Sequence, residues 1–188
     1  MAPSQTIQTP TTRIATYDLD LKHSSASFGV RHMMFATVKG TVGIKSASVQ
    51  YDPNDVRATQ VDAVLDPATI NTGATDRDAH LRSPDFFDVG SFPEWRFRST
   101  LVEAESDTKF TLHGELTIRG ATHPVTLKVE KLGEGKDPWG NQKIALVAST
   151  QIDRTKWGLT WNQALEAGGV LVSEKVKIEL DLQFAQRK

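Results

Sequence analysis

The sequence predicts an all-β domain, an antiparallel sandwich or barrel of about eight short strands with one short helix. Three observations lead there. Apolar and polar residues alternate with period two through most of the chain, turn residues punctuate the alternation at short intervals, and strands never alternate regularly with helices.

The strands are read in order from Ile14 onward. Ala26, Phe28 and Val30 share one face of the first, and Val61, Ala63 and Leu65 one face of the next. Trp95, Phe97, Ser99 and Leu101 define a third face, and Phe110, Leu112, Gly114, Leu116 and Ile118 a longer one. Val125, Leu127 and Val129 follow, then Ile144, Leu146, Ala148, Thr150 and Ile152. The cleanest run sets Val176, Ile178, Leu180, Leu182 and Phe184 against Lys177, Glu179, Asp181 and Gln183. Each pattern is that of a strand with one face on a core and one in water.

Turns are expected at 52–55, at Gly120-Ala121-Thr122, at Gly133-Glu134-Gly135 with Asp137-Pro138, and at Gly168-Gly169. The helix is expected over Ala74 to Arg82, capped by Thr72 or Thr75 and stopped by Pro84. With no linker or repeat, residues 14–188 form one domain behind a flexible segment 1–13.

Composition narrows the function. A chain of 188 residues buries roughly 70% of its unfolded surface and needs no staple to fold. It has no cysteine, which excludes disulfides, a thiol nucleophile and cysteine-held metals. A formal charge of −1 without a basic run gives no pull toward nucleic acid. No apolar run reaches the eighteen or so residues of a bilayer span. The N-terminal residues lack the pattern of a secretion leader, so a cytoplasmic location is expected, or a periplasmic one if a leader has been removed.

Many inward positions are small: Ala26, Ala63, Ser99, Gly114, Ala148 and Thr150. They leave either a void lined by larger apolar residues, fit for an apolar ligand, or places where strands cross tightly. Pattern alone leaves both open.

Chemistry-bearing clusters are weak. Asp78 and His80 stand two apart on the helix and face apart, and Arg77 and Asp78 are expected to pair with charges on neighbouring loops. The apolar pair Phe86-Phe87 after the helix suggests a lid over a barrel mouth. Adjacent His23 and Ser24 project to opposite faces of a strand, which spoils a nucleophile pair. His32 ends a strand beside Met33, Met34 and Phe35. The five histidines show no metal-binding spacing, and no phosphate-binding or nucleophile-elbow motif occurs, so neither metal nor cofactor is expected. Trp157 and Trp161, four apart with Arg154 close by, could stack on a flat head group or a base, but Trp157 reads better as a plug in the barrel end and Arg154 as half of an internal ion pair.

Seven segments in register resemble one family. They are Tyr17-x-x-Asp20-x-x-His23-Ser24-x-x-x-Phe28-x-Val30-x-His32, Ile70-Asn71-Thr72-Gly73 with Arg77-Asp78-x-His80-Leu81-Arg82-Ser83-x-Asp85-Phe86-Phe87-Asp88, and Phe97-x-Ser99-Thr100. They continue through Gly114-x-Leu116-Thr117-Ile118-Arg119-Gly120-x-Thr122-x-Pro124-Val125 and Asp137-Pro138-Trp139-Gly140. Ile152-Asp153-Arg154-x-x-x-Gly158-Leu159 and Val172-Ser173-x-x-Val176-x-Ile178 complete them. Together they resemble the YceI-like, polyisoprenoid-binding family over about Tyr17 to Phe184. The chain departs from that pattern in having Tyr17 for a usual Trp, Trp157 where Phe is commoner, and no leader.

The resemblance implies an extended eight-stranded antiparallel β-barrel of lipocalin-like architecture with the helix near its mouth. It implies binding or carriage of a long isoprenoid, quinone-like or fatty lipid, no established catalytic activity and no cofactor. On that reading the ligand contacts are Phe28, Val30, Phe35, Phe87, Phe97, Leu112, Leu116, Ile118, Leu146 and Ile178. Phe86, Trp157 and Trp161 would close the ends, with Arg154 or His32 near a polar head. The competing reading is an enzyme on an isoprenoid or quinone, using His32, Asp78 or His80 as acid or base. An open barrel edge would invite a homodimer.

Overall fold

The computed structural model describes residues 14–188 apart from Pro53 and Ala167, so the N-terminal segment 1–13 lies outside the described residues. Nine strands form one antiparallel sheet: β1 (Ala15–Leu19), β2 (Ser25–His32), β3 (Ala36–Tyr51), β4 (Gln60–Asn71), β5 (Trp95–Ala104), β6 (Lys109–Ile118), β7 (Ala121–Lys136), β8 (Gln142–Asp153) and β9 (Val172–Gln186). Among the described residues a single α-helix occurs, α1 (Thr75–Arg82), between β4 and β5.

The sheet closes on itself through β3 and β4. Strands β1 and β2 both pair with β3 and β9, β1 at Asp18↔Ser48 and Leu19↔Phe184, β2 at Ala26↔Val42 and Ala26↔Leu180. They therefore occupy one seat in the ring, end to end, separated by a 3₁₀ turn at Leu21–His23. The result is a barrel of eight staves, the first broken in two, in which every stave has a neighbour on both sides. The premise of the expected homodimer, an open edge, is thus absent among the described strands. The thinnest seam is β4–β5, paired only from Asp62↔Arg98 to Leu65↔Trp95 and extended by Val61 N donating to Ser99 Oγ at 2.8 Å.

Period two places one row of each strand inside. All five apolar residues of the β9 run, Val176 to Phe184, face the interior, as do Ile144, Leu146, Ala148, Thr150 and Ile152 on β8. Several strands change phase midway, β3 and β5 among them. On β3 the register slips between Ile44 and Ser46, so Val42 and Ile44 point inward before the slip, and Ala47, Val49 and Tyr51 after it. A slip of one residue exchanges the two faces of a strand. This is why β3 shows no clean alternation and was absent from the predicted strands. On β5 the slip between Ser99 and Leu101 turns Val102 inward, 6% exposed, in the place predicted for Leu101.

Local corrections are equally physical. Gly133, Glu134 and Gly135 belong to β7, and the hairpin turns only at the Asp137-Pro138 part of the expected region, where Asp137 Oδ1 accepts from the amides of Trp139 and Asn141. The β6–β7 hairpin turns on Arg119-Gly120, both left-handed at φ 50° and 73°, because Ile118 pairs directly with Ala121. The helix has no side-chain N-cap: its cap is Ala74, and Thr72 is engaged by Asp78. His23 sits in the 3₁₀ turn, 3.0 Å from Asp20, and not on a strand.

Candidate functional site

The inward rows do not fill the barrel. They enclose a cavity of about 380 Å³ with lining residues on all eight staves, within the range of small-ligand sites. The two readings of the small residues divide between positions. Ala26, Ala63, Ala148 and Thr150 line the cavity, and their short side chains leave the room. Gly114 is instead covered by the ring of Phe97, whose Cζ would stand 2.4 Å from an added Cβ. Ser99 gives its hydroxyl oxygen to the β4–β5 seam.

One end of the cavity is shut. It is the end where β4, β6 and β8 finish and β5, β7 and β9 begin. Ile70 is 1% exposed there, and Phe86 and Phe87, supplied by the segment after α1, line the wall with Trp95. The Phe87 and Trp95 rings pack at 4.5 Å between centroids. Outside this wall Trp161 sits edge-on to His80 at 4.9 Å and beside Phe86 at 5.4 Å, pinning the 159–171 strap to the helix region. Trp157, 2% exposed, donates its Nε1–H to the Leu116 carbonyl at 3.0 Å and packs edge-on to His123.

Arg154 lines the cavity at the same end and is 5% exposed. The expected internal ion pair is not what holds it. Its guanidinium donates to the carbonyls of Ser173 (3.0 Å), Trp161 (3.0 Å), Val172 (3.3 Å) and Leu159. Burial pushes its pKa down, while Glu174 and Asp153 nearby push it back up. Asp153 itself is engaged by Thr155 and Lys175.

The opposite end carries Tyr17, Tyr51, Lys131, Glu134 and Asp107 among its lining residues. Glu134 and Asp107 are exposed, which marks this end as the one that meets water. Lys131 Nζ lies 3.4 Å from Glu134. Burial, with Glu134 and Tyr51 adding to it, raises the Tyr17 phenol above its ordinary pKa.

Of the residues the sequence singled out for ligand contact, Phe28, Val30, Phe87, Phe97, Leu112, Leu116, Ile118, Leu146, Arg154 and Ile178 all line this cavity. Phe35 does not: it is 74% exposed, between β2 and β3. Trp157 and Trp161 stand behind the closed end, outside the lining.

The three acid–base candidates of the enzyme reading also lie outside it. Asp78, 6% exposed, accepts from the amide and hydroxyl of Thr72, whose hydroxyl and carbonyl in turn accept from Arg77, and among the described residues neither charge pairs with a loop charge. Hydrogen bonding by Thr72 lowers the Asp78 pKa. His80 Nε2 lies 3.0 Å from Asp85, partly exposed, and His32 ends β2 opposite Val172. Among the described residues no group of three metal-ligating side chains occurs, and no helix is long and apolar enough to cross a membrane.

Two lining groups escaped the sequence reading. Thr59 Oγ1 and Trp95 Nε1 are buried with no hydrogen-bond partner among the described residues. Nothing local marks them, because a lone Thr or Trp in a strand pattern looks like a packing residue.

Residues 17–184 match the family profile of the YceI-like domain. A UPF0312 protein of Staphylococcus aureus is 36% identical over 173 residues, covering 92% of this chain and 98% of that protein. A Vibrio vulnificus UPF0312 protein is 36% identical over 141 residues, 74% of this chain and 75% of its own. Among solved structures, Burkholderia cenocepacia BcnA superposes with a TM-score of 0.76 at 21% identity, over 88% of this chain and 98% of BcnA. A polyisoprenoid binding domain from Saccharophagus degradans gives 0.64 at 14% identity, over 93% and 100%.

Proposed function

This chain belongs to the YceI-like family, and from that premise we propose that it binds a long-chain isoprenoid, quinone-like or fatty lipid and sequesters or carries it in the barrel. The observation that carries the reading is the cavity itself, walled on every stave by apolar side chains and closed at one end. Each methylene moved from water into such a wall contributes roughly 0.8 kcal/mol, so a long chain binds without elaborate polar chemistry. The solved Saccharophagus domain of the same fold is described as binding polyisoprenoid, which supports the same class of ligand. The enzyme alternative is weaker, since none of His32, Asp78 and His80 lines the cavity.

The test is organic extraction of the protein purified from its own cells, followed by mass spectrometry, beside native mass spectrometry of the intact protein. A lipid released in stoichiometric amount supports the reading. Recovery of none, with no uptake of added lipid, overturns it.

A further inference from the structure

Met33, Met34 and Phe35 are consecutive and 38%, 67% and 74% exposed. They form the turn between β2 and β3, beyond the last pair, His32↔Ala36, at the shut end of the barrel. The strap over that end adjoins them. Met33 N donates to the Leu171 carbonyl at 2.9 Å, Met34 Sδ lies against Gly169, and Val170 between these two is 42% exposed.

Local preference does not account for this tip. Met33 and Met34 are both left-handed, at φ 50° and 66°, a conformation that suits Gly and, less well, Asn or Asp. Methionine at both positions, left in water, goes against turn chemistry and burial together, and such exceptions concentrate at functional places.

Charge indicates what the tip meets. From Ser25 to Tyr51 the β2–β3 hairpin holds Arg31, Lys39 and Lys45 and no Asp or Glu, although the whole chain is nearly neutral. Lys45 pairs with Glu94, but among the described residues neither Arg31 nor Lys39 forms an ion pair. Both are exposed, on the face opposite the inward Phe28, Val30 and Val42. Arg31 Nη1 donates to the Phe35 carbonyl at 3.1 Å, which sets a guanidinium at the tip itself. The acids on this side belong to other elements: Glu179 on β9 is bonded to Lys177, and Glu166 in the strap and Glu174 on β9 are exposed.

An apolar tip with cations directly behind it is complementary to an anionic bilayer, whose acyl boundary takes the side chains and whose phosphates meet Arg and Lys. A protein partner fits less well. A stable interface buries about 800 Å² per partner, and four side chains, none more than three-quarters exposed, fall short of that.

We propose that the Met33–Phe35 tip is a docking site for an anionic lipid bilayer. The docked molecule rests on its shut end, with the strap against the bilayer and the mouth at Tyr17 and Tyr51 turned to water. The site is independent of what the cavity holds.

The experiment is flotation of the whole chain with vesicles of phosphatidylglycerol and phosphatidylcholine in equal parts, and of phosphatidylcholine alone. The native protein should bind the mixed vesicles about tenfold tighter or more, less so as salt rises. Met33→Asn with Met34→Gly puts residues suited to left-handed backbone in the turn, so the melting temperature should hold or rise. Its vesicle binding should nevertheless fall about tenfold or more. Arg31→Gln with Lys39→Gln should lose about tenfold on mixed vesicles and flatten the salt dependence. Trp139→Ser, which removes an 80% exposed ring at the other end, should change nothing. Uptake of lipid added in solution should be native in every variant.

A native protein that binds neither vesicle, tip variants that bind as well as native, or loss of binding in Trp139→Ser overturns the docking site and leaves the lipid-binding reading standing. A dimer abolished by Met33→Asn with Met34→Gly, in a protein that ignores vesicles, makes the tip a protein interface and overturns it too. If the tip variants fail to fold, methyl-¹³C-methionine spectra of the native chain decide. Of its three methionines two are in the tip, and their signals should broaden on mixed vesicles and not on neutral ones. Signals unchanged on both overturn the site.

Discussion

The ring of Phe28 lies across Gly40, its partner on the facing strand, so closely that a Cβ on Gly40 would stand 2.5 Å from Phe28 Cζ and 2.9 Å from the Asn71 carbonyl oxygen. Phe97 covers Gly114 in the same way, and there the Arg98 carbonyl oxygen is 2.5 Å from the would-be Cβ. Backbone cannot move aside as a side chain can. Gly40→Ala and Gly114→Ala are each expected to destabilise the barrel by about 1–3 kcal/mol, read from urea unfolding. Phe97→Leu in the Gly114→Ala background should recover only part of the loss, because the Arg98 carbonyl remains.

The lining alanines behave oppositely. Ala63 and Ala148 face empty volume, so a larger side chain there meets space before it meets backbone. Ala63→Phe and Ala148→Phe are expected to change stability by less than about 1.5 kcal/mol. Each should cut the lipid recovered by extraction several-fold. Lipid retained at native level in both variants would place the ligand elsewhere.

Phe35 and Phe87 give a matched pair of aromatic deletions. Phe35, three quarters exposed, should tolerate Ser within about 0.5 kcal/mol and leave lipid uptake unchanged. Phe87→Ala removes a lining ring packed on Trp95 and is expected to cost about 3 kcal/mol or more. Thermal melts and lipid uptake on both variants separate the two.

Arg154 ties the start of the 159–171 strap to the start of β9, bonding the carbonyls of Leu159 and Trp161 in the one and of Val172 and Ser173 in the other. Arg154→Met leaves these acceptors unmatched, and Arg154→Lys cannot span them with a single ammonium. Both variants are expected to lose about 2 kcal/mol or more, with amide exchange accelerating first in residues 159–171. Protection unchanged in that strap would show that the carbonyls find other donors.

Acid stability should reflect Asp20. The Lys143 ammonium first and His23 second hold its carboxyl down at about 2, against an ordinary 3.8. Because the folded value lies below the unfolded one, the contribution is full above about pH 4 and is lost as pH falls toward 2. Asp153, held at about 2 by Thr155 and then Lys175, acts in the same window. Asp20→Asn is expected to cost about 1 kcal/mol or less at pH 7 and to flatten the stability profile between pH 4 and 2, measured by urea melts across pH.

Much of the barrel is legible in local sequence. The β9 run and the β8 run alternate without interruption, and every inward residue assigned from them lines the cavity. The helix, starting within a residue of its expected position, and the turns at Gly120 and at Asp137-Pro138 followed from Pro, Gly and Asp. Where the alternation breaks, legibility stops. Strand β3 went unread because its slip at Ile44–Ser46 exchanges faces in mid-strand, and Leu101 was misplaced for the same reason.

The sequence by itself therefore determined the class of the protein: antiparallel strands with an apolar inner row, a short helix, and no cysteine or metal motif. The family resemblance of its seven segments was also present in the chain alone. Tertiary structure decided which small residue opens space and which is covered. Gly114 and Ala148 read alike in the pattern, yet one lies beneath a ring donated by the neighbouring strand and the other faces a void. It likewise decided that Arg154 is held by carbonyls and that the Trp95 N–H has no partner among the described residues. Alternation is a property of neighbours along the chain, whereas a cavity or an unpartnered donor is set by cross-strand register between residues far apart in sequence.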